Sequence, residues 1–204
     1  DVIAPLATIF RNQNYQIAPV LEVLFKSEHF FDVMSQSCMI KSPLDFLVGG
    51  IRKLGISLPS ASDYESYYQV LIQLKNACRQ MGQEIGDPPS VSGWPAYYQI
   101  PSYHQLWINS DYFAKRVEFS EQLSNGITVN SFLLKADFIS YTNQFSDPSD
   151  PNVVVSEAMN ELLGLPLSQA GQDYYKSILL SGQAQDYYWT DAWNDYLANP
   201  NDAS

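Results

Sequence analysis

With 204 residues, 46% of them apolar, the chain is long enough to bury one sizeable core, and a single domain over residues 1–204 is expected. A formal charge of −11 and a pI near 4.4 argue against nucleic acid, which needs a positive field to neutralise phosphates, and against an anionic membrane surface. No apolar run approaches the roughly 20 residues of a bilayer span, so no transmembrane segment is expected.

The first residue is Asp1 rather than Met, and no charged-then-apolar leader precedes a cleavage site. A processed or excised piece of a longer protein is therefore expected. Only 16% of residues are charged while 14 are Tyr. A surface solvated by amides and phenols leans toward a periplasmic, cell-envelope or secreted protein. Cys38 and Cys78 fit no metal or CxxC spacing; they read as two independent thiols or as one long-range bridge.

In chain order the punctuation describes a succession of helices. Residues 1–12 place Ile3, Leu6, Ala7 and Phe10 at helical spacing, and Ile17 to Phe25 repeats the pattern with Val20, Leu21, Leu24 and Phe25. Ser27 to Phe31 reads as a short capped turn that buries its aromatics. Ser42-Pro43-Leu44-Asp45 combines an N-cap hydroxyl, proline at the first helical position and a carboxylate for the free amides. The helix it opens runs to Leu54 and stops at Gly55. Its Gly49-Gly50 pair lowers helicity by about 1 kcal/mol per glycine, which predicts close packing of another element there.

Asp63 to Met81 forms a long helix with Tyr67, Leu71, Leu74, Cys78 and Met81 in one stripe, ended by Gly82. Later helices are predicted from a Ser110-Asp111 cap through Leu123, over Ser131 to Gln144, Pro151 to Leu163, Ser168 to Leu180 and Asp186 to Leu197. Sustained period-two alternation is absent. The fold class is all-α, an irregular array of about eight to nine helices, with a composition shift near residue 125 that could mark a subdomain.

The segment that stands out is Met81-Gly82-Gln83-Glu84-Ile85-Gly86-Asp87-Pro88-Pro89-Ser90-Val91-Ser92-Gly93-Trp94-Pro95. Pro88 and Pro89 fix φ and hold the residue before each extended, while Gly86 and Gly93 allow turns on either side. Pro95 repeats the restriction at the far end. A long ordered loop is expected that presents Asp87 and Trp94 from few backbone conformations, as suits binding. Two readings stand. Trp94 is a packing plug against the Gly49-Gly50 face with Asp87 capping nearby amides, or Trp94, Tyr103 and Trp107 form an aromatic platform for a glycan, with Glu84, Asp87 and Asn109 supplying hydrogen bonds. Arg116 is expected to pair structurally, with Asp87 as its candidate partner.

The chain has no GxSxG elbow, HExxH, Walker loop, GxGxxG or EF-hand pattern. With only His29 and His104, a histidine-rich metal centre cannot form within one chain, and no metal or cofactor is expected. His104 beside Asp87 could act as a base, and Glu84 with Asp87 could serve glycoside hydrolysis.

Lys41-Ser42-Pro43, the loop from Met81 to Pro95, Trp107-Ile108-Asn109-Ser110 and Arg116, with the Phe10-Arg11 helix and Leu24 to Phe30, resemble a bacterial family known as domain of unknown function 1800. The resemblance spans residues 1–118, loosens after that, and departs from the family at the insertion Ala96 to Gln105. It implies the C-terminal portion of a longer protein, whose N-terminal part would pack on this chain. It also implies bacterial origin, with many members exported and encoded beside domain of unknown function 1501. Two functions follow as expectations: a non-catalytic binding or structural module with a protein or glycan partner, or a hydrolase, or part of one, acting on an envelope polymer.

Overall fold

The computed structural model describes residues 2–94 and 103–200. They are predominantly helical. Among them are nine α-helices, two 3₁₀ turns and one two-stranded sheet. The chain divides into two compact units, Asp1–Cys38 and Met39–Ser204.

In the first unit, α1 (Ile3–Asn12) and α2 (Ile17–Phe25) form a helical hairpin. Asn14 and Tyr15 turn the chain with positive φ, and the Phe10 and Tyr15 rings meet edge to face at 5.3 Å. The turn at Ser27 forms as expected, with Ser27 Oγ accepting from the Phe30 amide. Its aromatics are not buried, however. Phe25, Phe30 and Phe31 pack on one another edge to face and stay largely exposed, Phe31 at 66%.

The second unit is built on three helices, α3 (Pro43–Lys53), α4 (Tyr64–Gln80) and α5 (Ser110–Asn125). The start of α3 follows the sequence: Ser42 Oγ accepts from the Asp45 amide and donates to its carboxylate, with buried Pro43 in the first turn. Leu47 and Ile51 of α3, Val70 and Cys78 of α4 with Met81 at its end, and Phe119 and Leu123 of α5 make one core with Leu134 and Ala136. The buried line of α4 passes through Val70 rather than Leu71, which is exposed. No element crosses closely at Gly49: a Cβ there would meet nothing within 4 Å, and one on Gly50 only Leu123 Cδ1 at 3.9 Å.

The expected helix over Ser131 to Gln144 is replaced by a hairpin and one short helix. β1 (Ile127–Val129) pairs antiparallel with β2 (Phe132–Leu134), and α6 covers only Phe138–Thr142. Asn130 and Ser131 take positive φ between the strands, which is the backbone a two-residue hairpin needs. Ile127 and Val129 pair opposite Leu134 and Phe132 and pack on the core, so burial of one hairpin face overrides a weak helical pattern.

The remaining helices, α7 (Pro151–Leu162), α8 (Gln169–Leu179) and α9 (Tyr187–Ala198), begin close to the expected positions. Asp150 and Ser168 cap the first two. Tyr141, Phe145 and Val154 form a second core cluster with Leu54, Leu179 and Trp189. No helix is long and apolar enough to cross a membrane, among the described residues.

Candidate functional site

Helix α4 ends where its backbone turns left-handed at Gly82, φ +91°. The Gln83 amide donates back to Cys78 O at 2.9 Å and the Gly82 amide to Arg79 O at 2.9 Å, which satisfies carbonyls the helix leaves open. A Cβ on Gly82 would stand 2.5 Å from Tyr112 Cζ, so the loop root and α5 touch through a glycine.

The next side chains fasten this root to α3 and back to α4. Gln83 Oε1 accepts from the Leu44 amide at 2.8 Å and so closes a free donor in the first turn of α3. Glu84 pairs with Arg79 Nε at 3.2 Å. From Ile85 to Ser92 every residue is exposed. Gly86 and Gly93 take positive φ, as the two expected turns require, and the Gly93 amide donates to Ser90 O at 2.9 Å.

Beyond the turns, half-buried Trp94 lies against buried Trp107, ring centroids 5.2 Å apart at 56°. Trp94 is thus a packing residue, but its partner is Trp107 and not the Gly49-Gly50 face. With Trp107 only 9% exposed, its ring offers no open platform. Pro95 lies outside the described residues, as does the side chain of Tyr103; its backbone opens a 3₁₀ turn, Tyr103–Trp107.

Asn109 is spent on structure. Its Oδ1 accepts from the Tyr112 amide at 2.8 Å, so Asn109 caps α5 and Ser110 is its first helical residue. Arg116, two turns further, is buried. Its Nη2 donates to Lys41 O at 2.8 Å and Trp107 O at 3.1 Å, while the guanidinium lies 4.9 Å from the centre of the Phe46 ring. Among the described residues it makes no ion pair, so the expected bond to Asp87 is not formed. Burial lowers the Arg116 pKa from its ordinary value, but a guanidinium stays charged throughout the accessible range. Carbonyl oxygens and an aromatic face stabilise that charge where a carboxylate was expected.

Gathered at one end of α3, α4 and α5 are therefore Gly82, Gln83, Trp107, Asn109 and Arg116. Asp87, Pro88 and Pro89 stand apart on the exposed tip. Glu84 pairs with Arg79, while Asp87 lies on the exposed tip.

A second feature was not anticipated. Between α4 and α5 runs an open cleft of about 600 Å³, lined by Gln73, Asn76, Gln80 and Gln122 over a floor of Ala77, Met81 and Phe119. Arg79, Lys115 and Glu118 stand at its rim. The signal lay in the spacing: Gln73, Asn76 and Gln80 fall at i, i+3 and i+7, one face of a helix. Among the described residues no three His, Cys, Asp or Glu side chains come together as a metal-binding group.

The profile of the family described as protein of unknown function DUF1800 matches residues 1–201. The chain belongs to this family. Membership extends through α9, past the point near residue 118 where the sequence resemblance loosened. No curated protein and no solved structure matches the chain.

Proposed function

We propose that the chain is a non-catalytic binding module of an exported bacterial protein, and that the loop tip from Ile85 to Val91 is its contact for a partner protein. The observation that carries this reading is the contrast between the two ends of the loop and its middle. Both roots are fastened, one by Gln83 and Gly82 and the other by Trp94 on Trp107. Between them Ile85 and Val91 are exposed apolar side chains, Val91 fully so at 108%, with the Asp87 carboxylate between them.

A projecting turn of this kind suits a protein surface better than a small ligand, which needs a concave site. The two prolines limit the conformations lost on binding. The complementary surface would give Asp87 a cation and cover Ile85 and Val91 with apolar groups. A hydrolase reading has less support, because Glu84 is held by Arg79 and glycosidic cleavage uses two carboxylates flanking the bond.

A photo-crosslinker placed at Val91 of the full-length protein in its native host tests the reading. One discrete protein adduct, lost on Asp87→Lys, is the expected result. Absence of an adduct, or an adduct indifferent to Asp87→Lys, would overturn it.

A further inference from the structure

We propose that the cleft between α4 and α5 is a binding site for a neutral oligosaccharide, separate from the loop tip and independent of its role. Its volume of about 600 Å³ lies within the range of ligand sites. Four carboxamides line it, and Gln73, Asn76 and Gln80 make no side-chain hydrogen bond among the described residues. Each carboxamide offers both donors and an acceptor, the same pairing that a sugar hydroxyl requires. The three on α4 span about 10 Å along the helix at 1.5 Å per residue, enough to follow successive sugar rings.

Charge in the cleft is already balanced. Arg79 pairs with Glu84 at 3.2 Å and Lys115 with Glu118 at 2.9 Å, so neither cation is left to select a phosphate or carboxylate. Gln122 Nε2 leans on Glu118 at 3.4 Å, which leaves its carbonyl oxygen for the ligand. The floor is half-buried Ala77, closed from below by Met81 and Phe119 of the core. An extended peptide would instead seek a free sheet edge or a row of side-chain sockets, and the hairpin does not reach the cleft. Among the described residues Glu118 is the one carboxylate in the lining. The ligand is bound and not cut.

The test is calorimetric titration of the whole chain with cello-, xylo- and chito-oligosaccharides from di- to hexasaccharide. Wild type is compared with Gln73→Ala/Gln80→Ala, with Gln122→Ala and with Asp87→Lys, each checked for an unchanged melting curve. Gln73 and Gln80 are exposed and Gln122 half-buried at the cleft wall, and Asp87 is exposed on the loop tip, so the variants are expected to fold. One series binds wild type, the double variant weakens it about tenfold or more, and Asp87→Lys leaves it unchanged. The proposal is overturned if none of the sugars binds, if the double variant binds as wild type does, or if an anionic sugar or a peptide displaces the neutral ligand. Absence of any Val91 adduct in the otherwise unaltered protein, with sugar binding intact, would remove the loop reading alone.

Discussion

The Tyr112 ring fills the space that a side chain on Gly82 would occupy. Tyr112 Cζ is 2.5 Å from the position of a Cβ on Gly82, whose φ is +91°. Gly82→Ala is expected to destabilise the fold by about 2–4 kcal/mol, combining left-handed strain with overpacking. Gly86→Ala, at φ +86° with nothing within 4 Å of its Cβ, carries only the strain, about 1–2 kcal/mol. Urea unfolding of both, and of Gly82→Ala in a Tyr112→Ala background, separates the two contributions. Equal costs for the two glycines would show that the ring contact is unimportant.

Gly49 sets up the opposite outcome. It lies inside α3 in ordinary helical backbone with open space where a Cβ would point. Gly49→Ala should raise stability by about 0.5–1 kcal/mol, seen as a higher denaturant midpoint with an unchanged slope. A loss of stability would reveal a packing demand at this face.

Arg116→Met removes the donor shared by Lys41 O and Trp107 O. Hydrogen bonds from a buried charge make this cost about 2–3 kcal/mol, with faster amide exchange across residues 103–112. Arg116→Lys should recover little, because one ammonium on a flexible stem lacks the planar fork over Phe46. Unchanged exchange in Arg116→Met would mean that the brace does not hold the Trp107 segment.

The two cysteines are free thiols, Cys38 exposed and Cys78 buried. Burial pushes the Cys78 thiol up to about 11. A thiol reagent at neutral pH should therefore label Cys38 alone in the native protein and reach Cys78 only on unfolding. Since the folded pKa lies above the unfolded one, the contribution of Cys78 to stability is complete below the ordinary thiol range and is lost as pH rises toward 11. Cys78→Ala should flatten that alkaline limb.

At the other end of the scale, Asp186 joins three helices. It accepts from Asn152 Nδ2 of α7 at 2.9 Å and pairs with Lys176 of α8 at 3.1 Å, just before α9. The Asn152 hydrogen bond, then that from Lys176, holds its carboxyl below the usual range. A lowered folded pKa means stability that is present above the unfolded value and lost as pH falls through the folded one. Asp186→Asn should reduce the acid dependence of unfolding, and carbon NMR titration of Asp186 should give the lowered midpoint directly.

Local signals were strong where one residue type answers one backbone demand. Ser42-Pro43, Asp150-Pro151 and Gly82 marked helix ends from the sequence, because free amides and left-handed turns are satisfied by few side chains. The hairpin at Asn130-Ser131 was missed because three-residue strands carry too little alternation to register, and only burial of Leu134 makes the pairing worthwhile. Arg116 bonds to the Lys41 and Trp107 carbonyls rather than to Asp87, and carbonyl acceptors leave no mark in a sequence.

The sequence by itself determined the predominantly helical class and the family. Each of these depends on residues close together in the chain. Only the tertiary structure decided that Trp94 meets Trp107, that Gln83 closes the start of α3, and that Gln73, Asn76 and Gln80 face Gln122 across an open cleft. Those contacts depend on how helices distant in sequence bury their apolar faces together, and the packing leaves exposed what any partner would meet.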